Sequence, residues 1–148
     1  MKCCTTRTSF RRAEIKSIEQ FLAKVNQWAR AQQDIVGLVL VGSWARGEAQ
    51  PDSDVDLMIL CDTPSQYLND RSWPKQFGPI KSQKIEEWGK VGSVRVQYQN
   101  HLEVEFGFAT PDWAEKPFDL GTSEVLSHGF KILFDRSGKL NAIQNDEY

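Results

Sequence analysis

The side chains best placed to do chemistry are concentrated between Gly42 and Leu57, where Gly42-Ser43-Trp44-Ala45-Arg46-Gly47 is followed by Ser53-Asp54-Val55-Asp56-Leu57. Asp54 and Asp56 stand at positions i and i+2. In a strand they project from one face, with Cα atoms roughly 6–7 Å apart. Two carboxylates so placed repel one another unless a cation lies between them, and the apolar neighbours Val55 and Leu57 raise the cost of leaving them unpaired. An oxygen donor set with no His or Cys nearby predicts Mg²⁺ or Mn²⁺ rather than zinc. Mg²⁺ commonly completes its shell with substrate phosphates, for which a nucleoside triphosphate is the obvious source. Gly42, lacking a Cβ, lets the backbone approach a ligand closely, and a short helix starting at Trp44–Gly47 would offer free amides to phosphate.

These residues need a scaffold. Ile15, Ile18, Phe21, Leu22, Val25, Trp28 and Ala29 recur at helical spacing, with charged and polar residues opposite, and predict one long amphipathic helix. Ile35–Val41 is too short for a second helix and rich in β-branched residues, so it reads as a buried strand that delivers Gly42 and Ser43 to their turn. Val55–Cys61 reads as its hairpin or neighbouring partner. From Asp62 to Gly89, prolines break the pattern; a short helix is expected after Pro64, with Tyr67, Trp73, Phe77 and Trp88 as apolar anchors. Ser93–Gln99 and Leu102–Ala109 read as strands joined by a tight Asn100-His101 turn. A short helix over Thr122–Ser127 and a last strand over Phe130–Phe134 follow. The expected class is α/β (α+β): a mixed, mostly antiparallel sheet flanked by helices, in one domain over 1–135 with a polar tail over 136–148.

Composition bounds the function. The chain has 148 residues, 18 Lys plus Arg against 20 Asp plus Glu, and a formal net charge of −2, with 40% hydrophobic residues. That suffices for a core without disulfides or a structural metal and lies far from the disordered corner of composition space. The charge balance lacks the basic footprint of a nucleic-acid-binding protein, so nucleic acid is not an expected partner. No apolar run approaches the ~20 residues needed to span a bilayer. Cys3, Cys4 and Cys61 form neither a disulfide framework nor a zinc spacing, which favours a reducing, cytoplasmic setting. The basic, Ser/Thr-containing first dozen residues run directly into the helical pattern and read as a mature N-terminus rather than a transit peptide.

Gly-Ser, a short helix with Arg and Gly, and Ser-Asp-x-Asp-Leu together resemble the signature of the nucleotidyltransferase superfamily related to DNA polymerase β, especially its small bacterial and antibiotic-modifying members. The resemblance implies that fold and a transfer of a nucleoside monophosphate, AMP being expected, from an NTP such as ATP to an acceptor hydroxyl, with release of pyrophosphate. It implies catalytic and metal-binding roles for Asp54, Asp56 and a third acid on a later strand, holding two Mg²⁺ ions. Glu105, between Val104 and Phe106, is the first choice; Glu103 is the alternative and a further metal-ligand candidate. Gly42 and Ser43 would cradle the β- and γ-phosphates, with Arg46 offsetting their charge and Ser53 completing the nucleotide-binding set.

Plainer readings stand beside these. A Gly-Ser turn and an Asp-x-Asp pair are each common alone, and Arg46 can simply pair with Glu48 or Asp52. Trp44 is expected against the sheet rather than on a base, Trp88 and Trp113 as hydrophobic anchors, His101 in the hairpin turn and His128 at a helix end. The acceptor surface would come from the middle loops, a second copy in a homodimer, or another protein. Three activities follow: a small-molecule or protein nucleotidyltransferase, a minimal nucleotidyltransferase acting as antitoxin or regulator of a small helical partner, or a non-catalytic nucleotide-binding module. The intact Asp54 and Asp56 argue against the last.

Overall fold

The computed structural model describes residues 2–50, 53–88, 91–115, 120–127 and 129–145. Helix α1 (Lys2–Ala31) leads into β1 (Ile35–Val41), α2 (Gly42–Arg46) and β2 (Val55–Cys61). Helix α3 (Pro64–Asn69) and a 3₁₀ turn over Trp73–Phe77 then precede β3 (Ile80–Trp88), β4 (Val91–Tyr98) and β5 (Glu103–Ala109). A second 3₁₀ turn (Pro111–Ala114), α4 (Leu120–Ser127), β6 (Lys131–Asp135) and α5 (Lys139–Asn145) complete the chain. The strands form one six-stranded sheet in the order β3-β4-β5-β2-β1-β6. All neighbours run antiparallel except β2 and β5. This is the mixed, mostly antiparallel sheet that the hydrophobic pattern predicts.

Strand alternation gives the sheet two different faces. One carries Val55, Leu57 and Ile59 of β2, Val94 and Val96 of β4, and Val104, Phe106 and Phe108 of β5, all buried. Against it pack Ile18, Phe21, Val25, Trp28 and Ala29, the apolar stripe of α1. The helix ends where Arg136 donates hydrogen bonds to the carbonyls of Arg30, Gln32, Gln33 and Ile35, supplying partners that the last turn cannot find within itself. The proline-broken middle folds over the rest of this face as an aromatic cover. Tyr67 stacks on Phe108 at 5.1 Å and Trp73 meets Phe106 edge-on at 4.9 Å. Their polar ends are satisfied: the Trp73 indole donates to the Tyr67 carbonyl and the Tyr67 hydroxyl to Asp34.

The other face is divided. Over β1, β2 and β6 it is apolar, with Val39, Met58 and Leu60 covered by Trp113, Leu126, Leu140 and Ile143. Over the start of β2 and across β5 and β4 it turns polar, presenting Asp54, Asp56, Glu103, Glu105, Ser93 and Arg95. The site is this polar half.

Three expectations are corrected. The segment from Ile80 forms β3, a complete edge strand pairing with β4, which the prolines before it conceal. Three residues, Gln99, Asn100 and His101, separate Tyr98 from Leu102, whose carbonyl accepts the Tyr98 N–H, with His101 in the left-handed region at φ 73°, rather than a two-residue turn. Residues 139–145, read as part of a polar tail, form α5, whose Leu140 and Ile143 are buried. Two apolar residues three apart are a short stripe, easily overlooked among polar neighbours, yet they close the second core. Among the described residues no helix is long and apolar enough to cross a membrane.

Leu140 is wholly buried, and its Cδ1 would lie 2.7 Å from a Cβ placed on Gly37 of β1. Leu140→Ala should therefore cost about 2–4 kcal/mol in urea denaturation, as for other buried leucines, whereas the exposed Asn141→Ala should change stability by less than about 0.5 kcal/mol. Equal, negligible effects would return 139–145 to a solvated tail.

Candidate functional site

The turn after β1 and the first acid of β2 are built against each other. Val41 pairs with Asp56, so the residue after Val41 passes directly over the Asp56 carboxylate. That residue must be glycine for two reasons. Gly42 has φ 75°, and a Cβ there would collide with the Asp56 side chain. Helix α2 then closes at Gly47, itself at φ 73°, whose N–H bonds the Ser43 carbonyl; the Glu48 N–H bonds the same oxygen.

The loop leading to Asp54 is tied back to this helix. Ser53 Oγ accepts the Gln50 N–H at 2.8 Å, and its carbonyl accepts the Trp44 indole N–H at 3.2 Å. Ser53 thus braces the loop that delivers the aspartates, and Trp44 packs partly buried against the core as expected. Arg46 pairs with Glu48 at 3.3 Å, at the surface. Trp113 is buried and His101 lies in the β4–β5 loop, both as expected. Asp52, His128 and the side chain of Trp88 lie outside the described residues.

Parallel pairing of β2 with β5 sets Val55 opposite Val104 and Asp56 opposite Glu105. All four acidic candidates therefore converge: Glu105 lies beside Asp56 across the strand pair, and Glu103 and Asp54 both lie within 3.6 Å of Arg95 Nη1. Glu105 is the more enclosed of the glutamates, its side chain 20% exposed against 36% for Glu103.

Across this cluster lies a residue that the sequence reading did not single out. Arg95 on β4 pairs with Glu105. Its Nη1 donates to Asp54 Oδ2 at 2.9 Å, its Nη2 to Glu105 Oε2 at 2.9 Å and its Nε to Glu86 Oε1 at 3.0 Å, with Glu103 3.6 Å from Nη1. Ser93 donates a further hydrogen bond to Glu105 Oε1 at 3.1 Å. The signal for Ser93 and Arg95 is the alternation of Ser93, Arg95 and Gln97 with Val94, Val96 and Tyr98 along β4. It becomes readable only with the correct loop length. A two-residue turn closing Gln99 on Leu102 would place Arg95 opposite Phe106.

One guanidinium does not balance Asp54, Asp56, Glu86, Glu103 and Glu105. The shortfall falls on Asp56, whose carboxyl is pushed up to about 6 by burial first and then by the charges of Glu105 and Asp54. Glu103 is likewise raised, by burial and by Asp54, with Arg95 partly offsetting. Burial opposes the charge on Arg95, but its bonds to Asp54 and Glu86 and the charge of Glu105 outweigh that and hold it protonated.

The donor chemistry fits a divalent cation: oxygen ligands only, on adjacent strands, with a half-buried carboxylate, Asp56, short of positive charge. The arrangement is not one of ready coordination. Among the described residues no three His, Cys, Asp or Glu side chains are disposed as a group that could hold a metal ion, and Asp54 and Glu105 are turned onto Arg95 instead.

A search of curated proteins finds no match to the chain. Among solved structures, it is similar to an aminoglycoside 6-adenyltransferase from Bacillus subtilis, with 14% identity over 60% of this chain and 33% of that one, at a TM-score of 0.47. It is similar also to Cid1 in complex with its short product ApU, with 22% identity over 65% of this chain and 31% of that one, at a TM-score of 0.48. The chain spans about a third of the length of these two proteins. A family model described as a nucleotidyltransferase domain matches residues 12–116. That stretch runs from within α1 through both acidic strands, and by this match the chain belongs to the nucleotidyltransferase domain family.

Proposed function

We propose that the chain transfers a nucleoside monophosphate, with AMP from ATP as the first case, to a hydroxyl of a small molecule or a protein, with release of pyrophosphate. The observation that most supports this reading is the β2–β5 register, which puts Glu105 beside Asp56 directly under the Gly42 turn. In it Asp54, Asp56 and Glu105 hold Mg²⁺, with Glu103 at the more exposed rim as the alternative ligand. Bound divalent ions there would stabilise charge on the attacking and leaving oxygens.

The chain's own groups have separate tasks. The Gly42–Ser43 backbone passes close over Asp56 and faces the phosphates. Arg46 can leave Glu48 at little cost, since an exposed ion pair is worth ~0–1 kcal/mol, and turn its charge to the β- and γ-phosphates. Ser53 keeps the aspartate loop braced on Trp44. The acceptor oxygen attacks the α-phosphorus, the bond to the β-phosphate breaks, and the acceptor proton passes to Glu105 or solvent. The reading places the protein in the cytoplasm, with an NTP as its constant partner and a second copy or a helical protein as possible suppliers of the acceptor surface.

Pyrophosphate release from labelled NTPs, screened against hydroxyl-bearing small molecules and protein acceptors with Mg²⁺ present, tests the activity. Asp54→Asn, Asp56→Asn and Glu105→Gln should each lower turnover by about 100-fold or more, and Glu103→Gln by less than about tenfold. The reverse ranking of the two glutamates would make Glu103 the third acid. No turnover with any acceptor, together with NTP binding indifferent to Mg²⁺, would leave a nucleotide-binding module.

The Asp56 carboxyl also dictates a pH dependence. Its affinity for a proton is higher in the folded chain than in the unfolded one, so without a divalent cation this group costs stability as pH rises from about 4 to about 6. Asp56→Asn removes that cost. In the presence of a chelator the variant should gain on the wild type across this window, reaching roughly 1–2 kcal/mol at pH 7 after allowance for partial exposure. Urea melts at several pH values check this; a difference independent of pH would mean that Asp56 is not short of positive charge.

A further inference from the structure

We propose that Arg95 is a latch on the carboxylate cluster: it holds Asp54 and Glu105 in the cation-free chain and must release both for a divalent cation to bind, so it sets the cation concentration at which the site assembles. The inference rests on the reading of Asp54, Asp56 and Glu105 as cation ligands. It goes beyond that reading by assigning a positioning role to a strand β4 residue outside the acidic motif.

The geometry of the guanidinium carries the argument. Its Nη1 and Nη2 each engage an acid from a different strand, Asp54 before β2 and Glu105 on β5, while Nε engages Glu86 on β3. A planar fork with donors fixed in direction can make these three contacts at once only by lying between the strands, where a shared cation would also lie. Both positive groups cannot occupy that space. At a few ångströms and an effective dielectric near 20, a dication and a guanidinium repel by several kcal/mol.

Glu86 gives the arginine somewhere to go. Its contact is made through Nε, on the stem side of the fork, by an acid that belongs to neither β2 nor β5. A side chain that keeps this bond can swing Nη1 and Nη2 away from Asp54 and Glu105. Ser93, which donates to the other oxygen of Glu105, holds that carboxylate in place meanwhile. The latch is consistent with there being, among the described residues, no three acidic side chains disposed together for a metal. With the fork in place, the two acids needed from adjacent strands face the arginine.

Calorimetric titration of the full chain with Mg²⁺ and with Mn²⁺ is the test. Arg95→Gln should bind cation about tenfold or more tightly than wild type while melting at a lower temperature without cation, and Arg95→Lys, which has one ammonium instead of a fork, should fall between them. A merely structural arginine would lower the melting temperature without tightening cation binding. In the wild-type chain an arginine-specific dicarbonyl reagent, read by peptide mass spectrometry, should modify Arg95 several-fold faster with Mg²⁺ than with chelator. This second readout decides the matter if the variants do not fold. Binding that requires Asp54 and Asp56 but is unchanged or weaker in Arg95→Gln, or modification of Arg95 that Mg²⁺ does not accelerate, overturns the latch alone. Cation binding that is absent, or indifferent to Asp54→Asn and Asp56→Asn, overturns the ligand assignment and the latch with it.

Discussion

Among the described residues the pairing of β2 with β5 is the one parallel contact in an otherwise antiparallel sheet, and its register puts like charges side by side. Asp56 lies opposite Glu105, and two residues earlier on each chain segment Asp54 and Glu103 add to the crowding. A slip of one residue would send the acids to the apolar face, where Val55, Leu57, Val104 and Phe106 now pack, so the register is fixed by the core even though the charges oppose it. The hydrophobic face therefore supports the electrostatic crowding of the other. Rings of Phe21, Trp28, Tyr67, Trp73, Phe77, Phe106 and Phe108 meet edge-on or stacked, and the polar ends of Trp73 and Tyr67 are bonded, so that face has little freedom to relax.

Arg95 follows from that constraint. A cluster of partly buried carboxylates must be neutralised, protonated or occupied by a cation, and the first two devices are visible: Arg95 bridges Asp54, Glu86 and Glu105, while Asp56 holds its proton to higher pH. Neither device fully compensates. The remaining deficit is a source of binding free energy for a divalent ion, and the ion pairs of Arg95 subtract from it. On the proposed reading the site would be tuned between two occupants, Arg95 from the chain and a cation from solution.

The aspartates were legible because their signal is local: an i, i+2 pair between apolar residues, following a strand and a Gly-Ser turn. Five of the six strands and the burial of α1 were legible in outline for the same reason, through alternation and helical periodicity. What escaped depends on register and on contacts distant in sequence. Counting the β4–β5 loop as Asn100-His101 instead of Gln99, Asn100 and His101 shifts every cross-strand pair by one and hides Arg95 behind the wrong face. The left-handed His101 is the cause, since glycine or asparagine is the usual mark of that conformation. Strand β3 is hidden by its composition: Lys81, Lys84, Glu86 and Glu87 suit an exposed edge, where charge guards against pairing with other chains, more than they suit a recognisable strand.

Gly42 shows how the two halves of the site are coupled. Its backbone is close enough to Asp56 that no side chain fits between them, and its left-handed conformation is followed at once by the turns of α2. Movement of the Gly42–Ser43 backbone therefore moves a wall of the Asp56 pocket, and the Ser53–Trp44 bond carries the same motion to the loop before Asp54. A phosphate drawn to the turn and a cation drawn to the aspartates would each act on the same short backbone span. Nucleotide and metal are then expected to bind as one unit, because the residues that would meet each are in contact before either arrives.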